Sequence, residues 1–539
     1  MANKLIYFIL VQRIQIMTHI VYTFRLFLVF IGLMLCYSCS NENPSGETAP
    51  ISIEDTSSIN VVKVNQKPDD ESTESIGEAN IIAAIDRFVD DNDLRYAGIS
   101  INVTDTKDGK VLGSYNPRMS LVPASSMKVV TTAAALKALG DDFTFKTFLE
   151  YDGELIDGTL KGNIYITGQS DPTLGTHQNE VNTKSNYTMN TFASVITKKG
   201  IQKIEGAVVG DASYLPSQVN CPTWQWDDLG NYYAGGIWGL NYHENLYFLE
   251  FQQTSKLGGQ PKINKIYPAV PNLVVENEVV SAKAGSGDNA YIFGAPYNYN
   301  RFVRGTIPVG SNPFTIKGSI PEPAAFAAHY LEKALEKKDI KITQPSTTQR
   351  QLKSNKTRTN IIINESEPLL EIAKLTNYKS VNLYAEALLR VMNKEAGGDG
   401  SLEKAIETLY DFWEAEGLAK DGLFIADASG LSSKNGVSAY HFTKMMEIIS
   451  KDKAWYDSFL QTLPTAGKSG TLQRMLKGTI AEGKIQAKSG THSNARSYTG
   501  YATNRAGNRL AFSIIVNNFS CGLGDMRKKM EKLMVAFCE

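Results

Sequence analysis

The sequence lacks an excess of charge of either sign, because 55 lysine and arginine residues are balanced by 56 aspartate and glutamate residues in a chain of 539. Proteins that hold nucleic acid through its phosphates carry a basic excess or a basic run. Neither is present, so we expect no nucleic-acid partner. The six histidines form no H-x-x-x-H or H-x-x-E-H pair. The sequence therefore predicts neither a metal site nor a cofactor.

Cysteine is also scarce, with five residues in the whole chain. Beyond the N-terminal segment only Cys221, Cys521 and Cys538 remain, and they form no C-x-x-C pair. Cys521 and Cys538 flank a predicted helix and would stand roughly 20 Å apart, beyond the reach of a disulfide. No disulfide framework is expected. The chain also has no G-x-S-x-G motif, which argues against a Ser-His-Asp hydrolase.

Long apolar runs are rare, and the clearest one lies near the N-terminus. Arg25 precedes an apolar run over residues 26–35 that ends at Cys36. This layout is typical of a secretory signal and is too short for a comfortable membrane span. Ser38 followed by Cys39 resembles a lipoprotein processing site, at which Cys39 is acylated. An ordinary signal peptide and a retained anchor are the alternatives.

The first two boundaries follow from this segment. Residues 1–39 are interpreted as the signal and lipoprotein segment, with Met1 or Met17 as the start. Residues 40–76 are rich in polar residues and proline and have few large apolar groups, so they predict a flexible tether. We expect an extracytoplasmic or periplasmic protein that touches the membrane only through its N-terminal lipid.

In the rest of the chain the predicted type of secondary structure changes twice. Residues 77–145 predict a helix, a strand hairpin and then a long Ala/Leu-rich helix over 123–140, with Pro near its first turn and Gly at its end. Residues 146–318 show short alternating strands separated by Gly, Asn and Pro turns. Over 319–539 helical patterns return, and the chain ends in three strands and a helix. This order predicts an α+β fold.

Three short motifs occur in one order along the chain: S-x-x-K at Ser125–Lys128, S-x-N at Ser380–Asn382 and K-S-G at Lys488–Gly490. Motifs of this kind are found together in penicillin-binding proteins and class A β-lactamases. Each motif alone is weak, because it also matches elsewhere. The rival matches are Ser401–Lys404, Ser450–Lys453, Ser58–Asn60, Ser433–Asn435 and Lys468–Gly470.

Local context selects among these matches. Ser125 opens the most regular predicted helix, where a spacing of three places Lys128 on the same face and free backbone amides can stabilise negative charge. Ser380 stands where a turn meets an apolar helix. Lys488 lies on a strand-like run, where a K-S-G at a sheet edge could pair with an extended peptide. The non-catalytic interpretations are a helix cap for Ser125, Ser380 and Asn382 and a surface turn for Lys488.

At these residues the chain resembles the class C low-molecular-mass penicillin-binding proteins, the D-alanyl-D-alanine carboxypeptidase/endopeptidase family. The segment that begins at Pro123 is close to the family's nucleophile helix, and the resemblance runs from about Ala79 to the end. Further stretches that resemble family motifs are Gly168-Gln-Ser-Asp-Pro-Thr-Leu174, Trp226-Asp-Asp-Leu-Gly-Asn-Tyr-Tyr233 and Asp427-Ala-Ser-Gly-Leu-Ser432. Here S-V-N and K-S-G replace the usual S-D-N and K-T-G.

The resemblance implies a β-lactamase/transpeptidase-like domain, an antiparallel sheet flanked by helices, that is formed by residues 77–145 and 319–539. A strand-rich module, residues 146–318, would be inserted between these two parts. The implied activity is that of a serine-type D-Ala-D-Ala carboxypeptidase or endopeptidase. It would act on peptidoglycan stem peptides through an acyl-enzyme and would bind β-lactams covalently.

The resemblance also implies roles for the matched residues. Ser125 is expected to be the nucleophile, neutral Lys128 its base, and Ser380 the relay that carries the proton to the leaving amine. The backbone amides of Ser125 and Thr491 would form the oxyanion hole. The residues expected to bind substrate are Asn382, Lys488, Ser489, Gly490 and Thr491. Val381 lacks the usual carboxylate.

Two other functions stay open at this point. The aromatic-rich stretch over 224–251 could stack on glycan in a non-catalytic peptidoglycan-binding lipoprotein, although Trp and Tyr are more often buried in a core. A serine β-lactamase or esterase on the same scaffold would differ only in how fast its acyl-enzyme is hydrolysed. His492 and Arg496, which follow the K-S-G motif, are expected to influence substrate preference.

Overall fold

The computed structural model describes residues 76–177 and 187–539. The predicted signal segment with Cys39, and the tether up to residue 75, lie outside the described residues. Both described ranges fall within one structural unit, Thr73–Glu539. None of the helices in these ranges is long and apolar enough to cross a membrane.

The secondary structure of the described residues is numbered here in chain order. The helices are α1 (Ile76–Val89), α2 (Lys128–Leu139), α3 (Tyr187–Lys198), α4 (Pro323–Glu336), α5 (Gln349–Leu352), α6 (Leu369–Lys379), α7 (Asn382–Glu395), α8 (Leu402–Ala415), α9 (Ala439–Lys451), α10 (Lys453–Thr462) and α11 (Leu523–Ala536). The strands are β1 (Gly98–Asp105), β2 (Val111–Tyr115), β3 (Lys146–Asp152), β4 (Glu154–Ile156), β5 (Thr159–Lys161), β6 (Ile164–Gly168), β7 (Lys203–Ile204), β8 (Val208–Asp211), β9 (Leu246–Gln252), β10 (Lys262–Tyr267), β11 (Val274–Ala282), β12 (Asn289–Phe293), β13 (Asn300–Pro308), β14 (Pro313–Ser319), β15 (Lys341–Ile342), β16 (Thr347–Thr348), β17 (Arg358–Glu365), β18 (Ile485–His492), β19 (Ala495–Thr503) and β20 (Arg509–Asn517).

A five-stranded antiparallel sheet joins the two ends of the described chain, with the strand order β18-β19-β20-β1-β2. The central strand β20 is buried along nearly its whole length, because helices cover both faces of the sheet. Helices α1 and α11 pack together on one face around Ile85, Phe512 and Met530. Helix α9 packs on the other face, where the Tyr501 hydroxyl donates to the Met446 carbonyl over 2.9 Å. The sheet and its flanking helices are those that the sequence predicts.

Helix α2 lies at the centre of a layer of helices. Its residues Lys128–Leu136 are all buried, which fits a helix that is small and apolar on every side. Its many alanines allow α6, α7, α8 and α10 to approach closely. The indole N–H groups of Trp413 and Trp455 donate to the carbonyls of Val130 and Ala133. The start of α2 is therefore held rigidly inside the protein.

The inserted part consists of small sheets around a second core, and it extends further along the chain than the sequence suggests. The four sheets have the strand orders β16-β8-β6-β3-β17, β15-β7-β5-β4, β10-β9-β14 and β11-β13-β12. Strand β17 pairs antiparallel with β3, and α4 packs on β8 with Phe326 and Leu331 in this second core. Residues 319–365 thus complete the inserted sheets, whereas the sequence-based boundary assigned them to the transpeptidase-like domain. A helical pattern does not reveal which sheet its apolar face covers, and the two-residue strands β15 and β16 are too short to leave a pattern.

Candidate active site

The nucleophile candidate Ser125 lies in a tight turn just before α2. The predicted helix over 123–140 is in fact a 3-10 turn, Ala124–Met127, followed by α2. Ala124 has a left-handed backbone (φ 47°) and packs against Gly430 (φ 81°), where a Cβ atom would lie 1.8 Å from the Ala124 carbonyl oxygen. The close contact with Gly430 thus fixes the conformation of the turn. Lys128 is the first residue of α2.

The Lys128 amine is surrounded by oxygen atoms. Its Nζ lies 3.1 Å from Ser125 Oγ, 2.6 Å from Asn382 Oδ1 and 2.6 Å from the Ser429 carbonyl oxygen. The side chain is fully buried, and burial lowers the pKa of Lys128 to about 7. The nearby carboxylate of Asp427 acts in the opposite direction but is outweighed. An amine with this pKa can give up its proton near neutral pH and serve as a base.

Two buried carboxyl groups hold the loop that supplies the Ser429 carbonyl. Glu386 Oε1 accepts the backbone N–H groups of Ala428 (3.2 Å) and Ser429 (3.0 Å). Burial, assisted by the charge of Asp427, raises the pKa of Glu386 to about 7. The donors to the Asp427 carboxylate are the backbone amides of Gly430 and Ser432, Asn435 Nδ2 and Trp224 Nε1, all at 2.7 to 2.8 Å.

Sequence reasoning gave no role to Glu386 or to Asp427. The signal for Glu386 is a charged residue within the apolar run of α7, where burial without a partner would be costly. Asp427 opens a segment that resembles a family motif, yet only the folded loop shows that its carboxylate organises the turn. Both residues hold the loop that contacts Lys128, and neither hydrogen-bonds to Ser125.

The second amine of the site, Lys488, lies on β18 and reaches Ser380. Its Nζ is 3.0 Å from Ser380 Oγ and 2.6 Å from the Ser489 carbonyl oxygen. Burial, together with the charge of Lys128, lowers the pKa of Lys488 well below its usual value. Ser380 has a left-handed backbone (φ 58°) at the junction of α6 and α7, and its hydroxyl faces the Lys488 amine.

Strand β18 touches the nucleophile turn directly. A Cβ atom on Gly490 would lie 2.4 Å from the Pro123 carbonyl oxygen and 2.9 Å from the Ser126 amide nitrogen. Ser126 Oγ is 2.7 Å from Ser497 Oγ on the neighbouring strand, and the Ser497 hydroxyl also donates to the Pro123 carbonyl over 2.6 Å. Glycine at 490 is therefore what permits the sheet and the turn to meet.

Asn382 and Ser489 are bonded to protein groups within this structure. Besides Lys128, Asn382 binds the inserted part, since its Nδ2 donates to the Tyr233 carbonyl over 2.9 Å. Ser489 Oγ donates to Thr471 Oγ1 over 2.8 Å, and Thr471 directly follows the rival K-S-G match. Thr471 thus stands at the rim of the site, and no feature of the sequence pointed to it.

None of the rival matches among the described residues hydrogen-bonds to Ser125 or to the Lys128 amine. Lys404 and Lys453 form surface ion pairs with Glu407 (2.9 Å) and Asp457 (2.5 Å). Asn435 donates to the Asp427 carboxylate. Ser58–Asn60 lies outside the described residues. Of the two K-S-G matches, Lys488 is the one bonded to Ser380.

His492 and Arg496, which lie shortly after the K-S-G motif, have different surroundings. Arg496 donates to the Tyr498 hydroxyl (3.0 and 2.8 Å) and to the Leu523 carbonyl at the start of α11, on the opposite side of β19 from Ser497. Its guanidinium therefore supports the fold on that side of the sheet. The imidazole of His492 is close enough to Asp228 to oppose the rise that burial causes in the pKa of that carboxyl group.

The comparisons with known proteins agree on one family. Residues 81–538 match the model of the D-Ala-D-Ala carboxypeptidase 3 (S13) family. A D-alanyl-D-alanine carboxypeptidase from Actinomadura sp. (strain R39) is 28% identical over 81% of this chain and 80% of its own length. The carboxypeptidase DacB of Haemophilus influenzae is 26% identical over 78% of this chain and 85% of its own length.

Solved structures share the fold. The crystal structure of penicillin binding protein 4 (dacB) from Haemophilus influenzae covers 84% of this chain and 97% of its own, with a TM-score of 0.72 and 24% identity. A structure of the same protein with a bound β-lactam covers 85% of this chain and 98% of its own, with a TM-score of 0.68 and 22% identity.

A transpeptidase-like sheet with a half-buried serine beside a buried lysine at its edge is the arrangement of a serine acyl-transfer enzyme. The chain belongs to the D-Ala-D-Ala carboxypeptidase 3 (S13) family and is a serine-type D-Ala-D-Ala carboxypeptidase. The predictions of family, fold class and enzyme class are confirmed.

Proposed function

We propose that the protein trims D-alanine from peptidoglycan stem peptides through an acyl-enzyme on Ser125. The observation that carries this proposal is the 3.1 Å contact between Ser125 Oγ and Lys128 Nζ, an amine whose pKa is about 7. The Lys488–Ser380 pair completes the group of polar side chains. Serine, a neutral amine and a second hydroxyl are the groups that acyl transfer requires.

In the acylation step neutral Lys128 takes the hydroxyl proton of Ser125, while Oγ bonds to the carbonyl carbon of the penultimate D-Ala. The amides of Ser125 and Thr491 stabilise the oxyanion that forms. When the C–N bond breaks, the proton passes through the Ser380 hydroxyl to the leaving amine, and terminal D-Ala departs. In the second step water attacks the ester carbonyl carbon and gives a proton to Lys128. The bond from the carbonyl carbon to Ser125 Oγ then breaks, Lys128 returns the proton to Oγ, and the shortened peptide leaves as a carboxylate.

Substrate binding falls to the groups that surround this pair. A substrate carboxylate at Lys488 would restore the positive charge that burial disfavours in the empty site, so binding and protonation favour each other. The Ser489 hydroxyl lies beside Lys488 on β18, and Gly490 and Thr491 continue the strand along which the peptide would extend. Asn382 Oδ1 already accepts from Lys128, and its second lone pair is suited to a peptide N–H of the substrate.

The same chemistry would split a cross-bridge, with the bridging amine in place of free D-Ala as the leaving group.

We also propose that the protein works outside the cytoplasm as a lipoprotein acylated at Cys39. The apolar run over 26–35 and the Ser38–Cys39 pair support this proposal. Radiolabelled fatty acid supplied to producing cells should enter the wild-type protein and not a Cys39→Ala variant. Equal labelling of both proteins would refute the anchor.

The assignment of the nucleophile is tested with a fluorescent penicillin. Ser125→Ala should lose both covalent labelling and release of D-Ala from a soluble peptide ending in D-Ala-D-Ala, because no other hydroxyl lies beside Lys128 in the described structure. Ser401→Ala, which alters a rival S-x-x-K match, should retain both. Stoichiometric labelling of Ser125→Ala would show that another residue carries the acyl group.

A further inference from the structure

An outer sheet of the inserted part exposes aromatic side chains. In the sheet β11-β13-β12 alternate residues face the core, as the buried Val279, Ile292 and Val303 show. On the other face the side chains of Tyr291 and Phe302 remain 45% and 38% exposed. Large apolar residues on a surface are informative when they cluster, because isolated ones are ordinary.

These rings form one cluster with a tryptophan from the preceding segment. The ring centroids of Trp226 and Phe293 are 6.5 Å apart, and Phe293 is the cross-strand partner of Phe302. Trp226 is 59% exposed. We name Trp226, Tyr291, Phe293 and Phe302 the aromatic strip.

A fixed cation lies within the aromatic strip. The guanidinium carbon of Arg304 is 5.8 Å from the ring centroid of Phe293 and 5.5 Å from that of Phe302. Glu278 holds the same group at 2.6 and 3.2 Å. The clustered rings are thus bordered by a pair of opposite charges.

The aromatic strip is joined to the active site through a short and rigid segment. Asn231 Oδ1 accepts the backbone N–H of Ile292 over 3.0 Å, and a Cβ atom on Gly230 would lie 1.9 Å from the Ile292 carbonyl oxygen. Two residues further on, the Tyr233 carbonyl accepts from Asn382 of the S-x-N motif over 2.9 Å. The segment between Trp226 and Tyr233 therefore touches β12 at one end and the catalytic group at the other.

We propose that the aromatic strip binds the glycan strand of peptidoglycan, the β-linked polymer of N-acetylated hexosamines, while a stem peptide of that strand enters the active site. This inference rests on the proposed function. A sugar ring offers an apolar C–H face to an aromatic ring and a rim of hydroxyls to the polar groups beside it.

The charges on this sheet and their position beside the rings argue against other ligands of the aromatic strip. The exposed charges on the three strands are Glu276, Glu278 and Arg304. This set has no basic excess with which to attract an anionic lipid surface or nucleic acid. The Arg304–Glu278 pair also places charges directly beside the rings, whereas the core of a protein interface is depleted of charge.

The test compares a polymeric with a soluble substrate. Tyr291→Ala/Phe302→Ala removes two exposed rings, and Tyr96→Ala/Phe424→Ala is the matched control, since it deletes one exposed Tyr and one exposed Phe elsewhere. On purified peptidoglycan the first variant should lose about tenfold in kcat/KM, as expected for two lost ring contacts. On a soluble D-Ala-D-Ala peptide, and in penicillin labelling, both variants should equal the wild type.

Binding is measured separately from catalysis. In a Ser125→Ala background, co-sedimentation with glycan strands stripped of their peptides should fall for the aromatic variant and persist for the control. Unchanged co-sedimentation, or an equal fall for both variants, would overturn the glycan proposal. Failure of the wild type to cleave even the soluble peptide would overturn the proposed function instead, so the two failures are distinguishable.

Discussion

At the scale of single residues, the proposed mechanism depends on keeping one buried amine uncharged. Lys128 gains three oxygen neighbours and loses solvent, and the loss of solvent determines its pKa. Glu386 acts in the opposite sense, because its carboxylate raises the pKa of Lys128. The burial of Lys128 and the charge of Glu386 therefore together set the pH at which Lys128 loses its proton and can act as a base.

This balance gives a prediction about pH dependence. Lys128 works deprotonated, so kcat/KM for a soluble peptide should fall as the pH drops through about 7. Glu386→Gln keeps an acceptor for the two amides but removes the negative charge, which lowers the pKa of Lys128. At pH 7, where Glu386 is still about half ionised, the variant should keep up to about twofold more of its pH 8 activity than the wild type. Glu407→Gln, on the surface, should leave the profile unchanged, and an unshifted profile for Glu386→Gln would contradict the prediction.

The sequence was most informative at this scale. Ser125, Lys128, Ser380, Asn382 and Lys488 could be named because each motif is short and local, and a spacing of three fixes two side chains on one side of a turn. The buried groups that orient them could not be named in the same way. Their partners are backbone amides of a distant loop, and such contacts exist only after folding.

At the scale of elements, the site depends on how closely β18 approaches the turn Ala124–Met127. Gly490 lies at the point of contact, with the Pro123 carbonyl and the Ser126 amide directly opposite. The three strands that the sequence predicts near the end of the chain are β18, β19 and β20. The turn was predicted as part of a helix, because Pro and Ala favour both conformations and only packing against Gly430 selects the tighter one.

Gly490→Ala should therefore damage acylation more than folding. The added methyl group forces β18 away from the turn, at a cost on the order of 1–3 kcal/mol, and the acylation rate with a fluorescent penicillin should fall at least about tenfold. Gly524→Ala is the matched control, because no atom lies within 4 Å of its Cβ position in the first turn of α11. Acylation of Gly490→Ala at the wild-type rate would show that the close approach is dispensable.

At the scale of the whole molecule, the inserted part and the transpeptidase-like domain share buried polar contacts. The Tyr384 hydroxyl on α7 donates to Glu244 Oε1 over 3.1 Å and lies 3.0 Å from Thr176 Oγ1. Trp224 reaches the Asp427 carboxylate in the same way. The sequence revealed that a module is inserted but not how far it extends, because β17 pairs with β3 across some two hundred residues and long-range pairing leaves no local signature.

The shared contacts predict a measurable coupling. Tyr384→Phe removes the hydroxyl and leaves Glu244 with one donor fewer, so the free energy of unfolding in urea should fall by about 1–2 kcal/mol. Tyr96→Phe, on a ring that is 79% exposed, should leave the unfolding curve in place. Equal free energies of unfolding for the two variants would mean that the Tyr384 hydroxyl does not stabilise the contact between the inserted part and the transpeptidase-like domain.

The position of β20 between β19 and β1 has a consequence for biogenesis. A polypeptide leaves the ribosome and crosses a membrane with its N-terminus first, so β1 and the nucleophile turn arrive several hundred residues ahead of the strand that must bridge them to β18. Before β20 arrives, Lys488 has no sheet to hold it against Ser380. The nascent enzyme is therefore inactive until its final strands emerge.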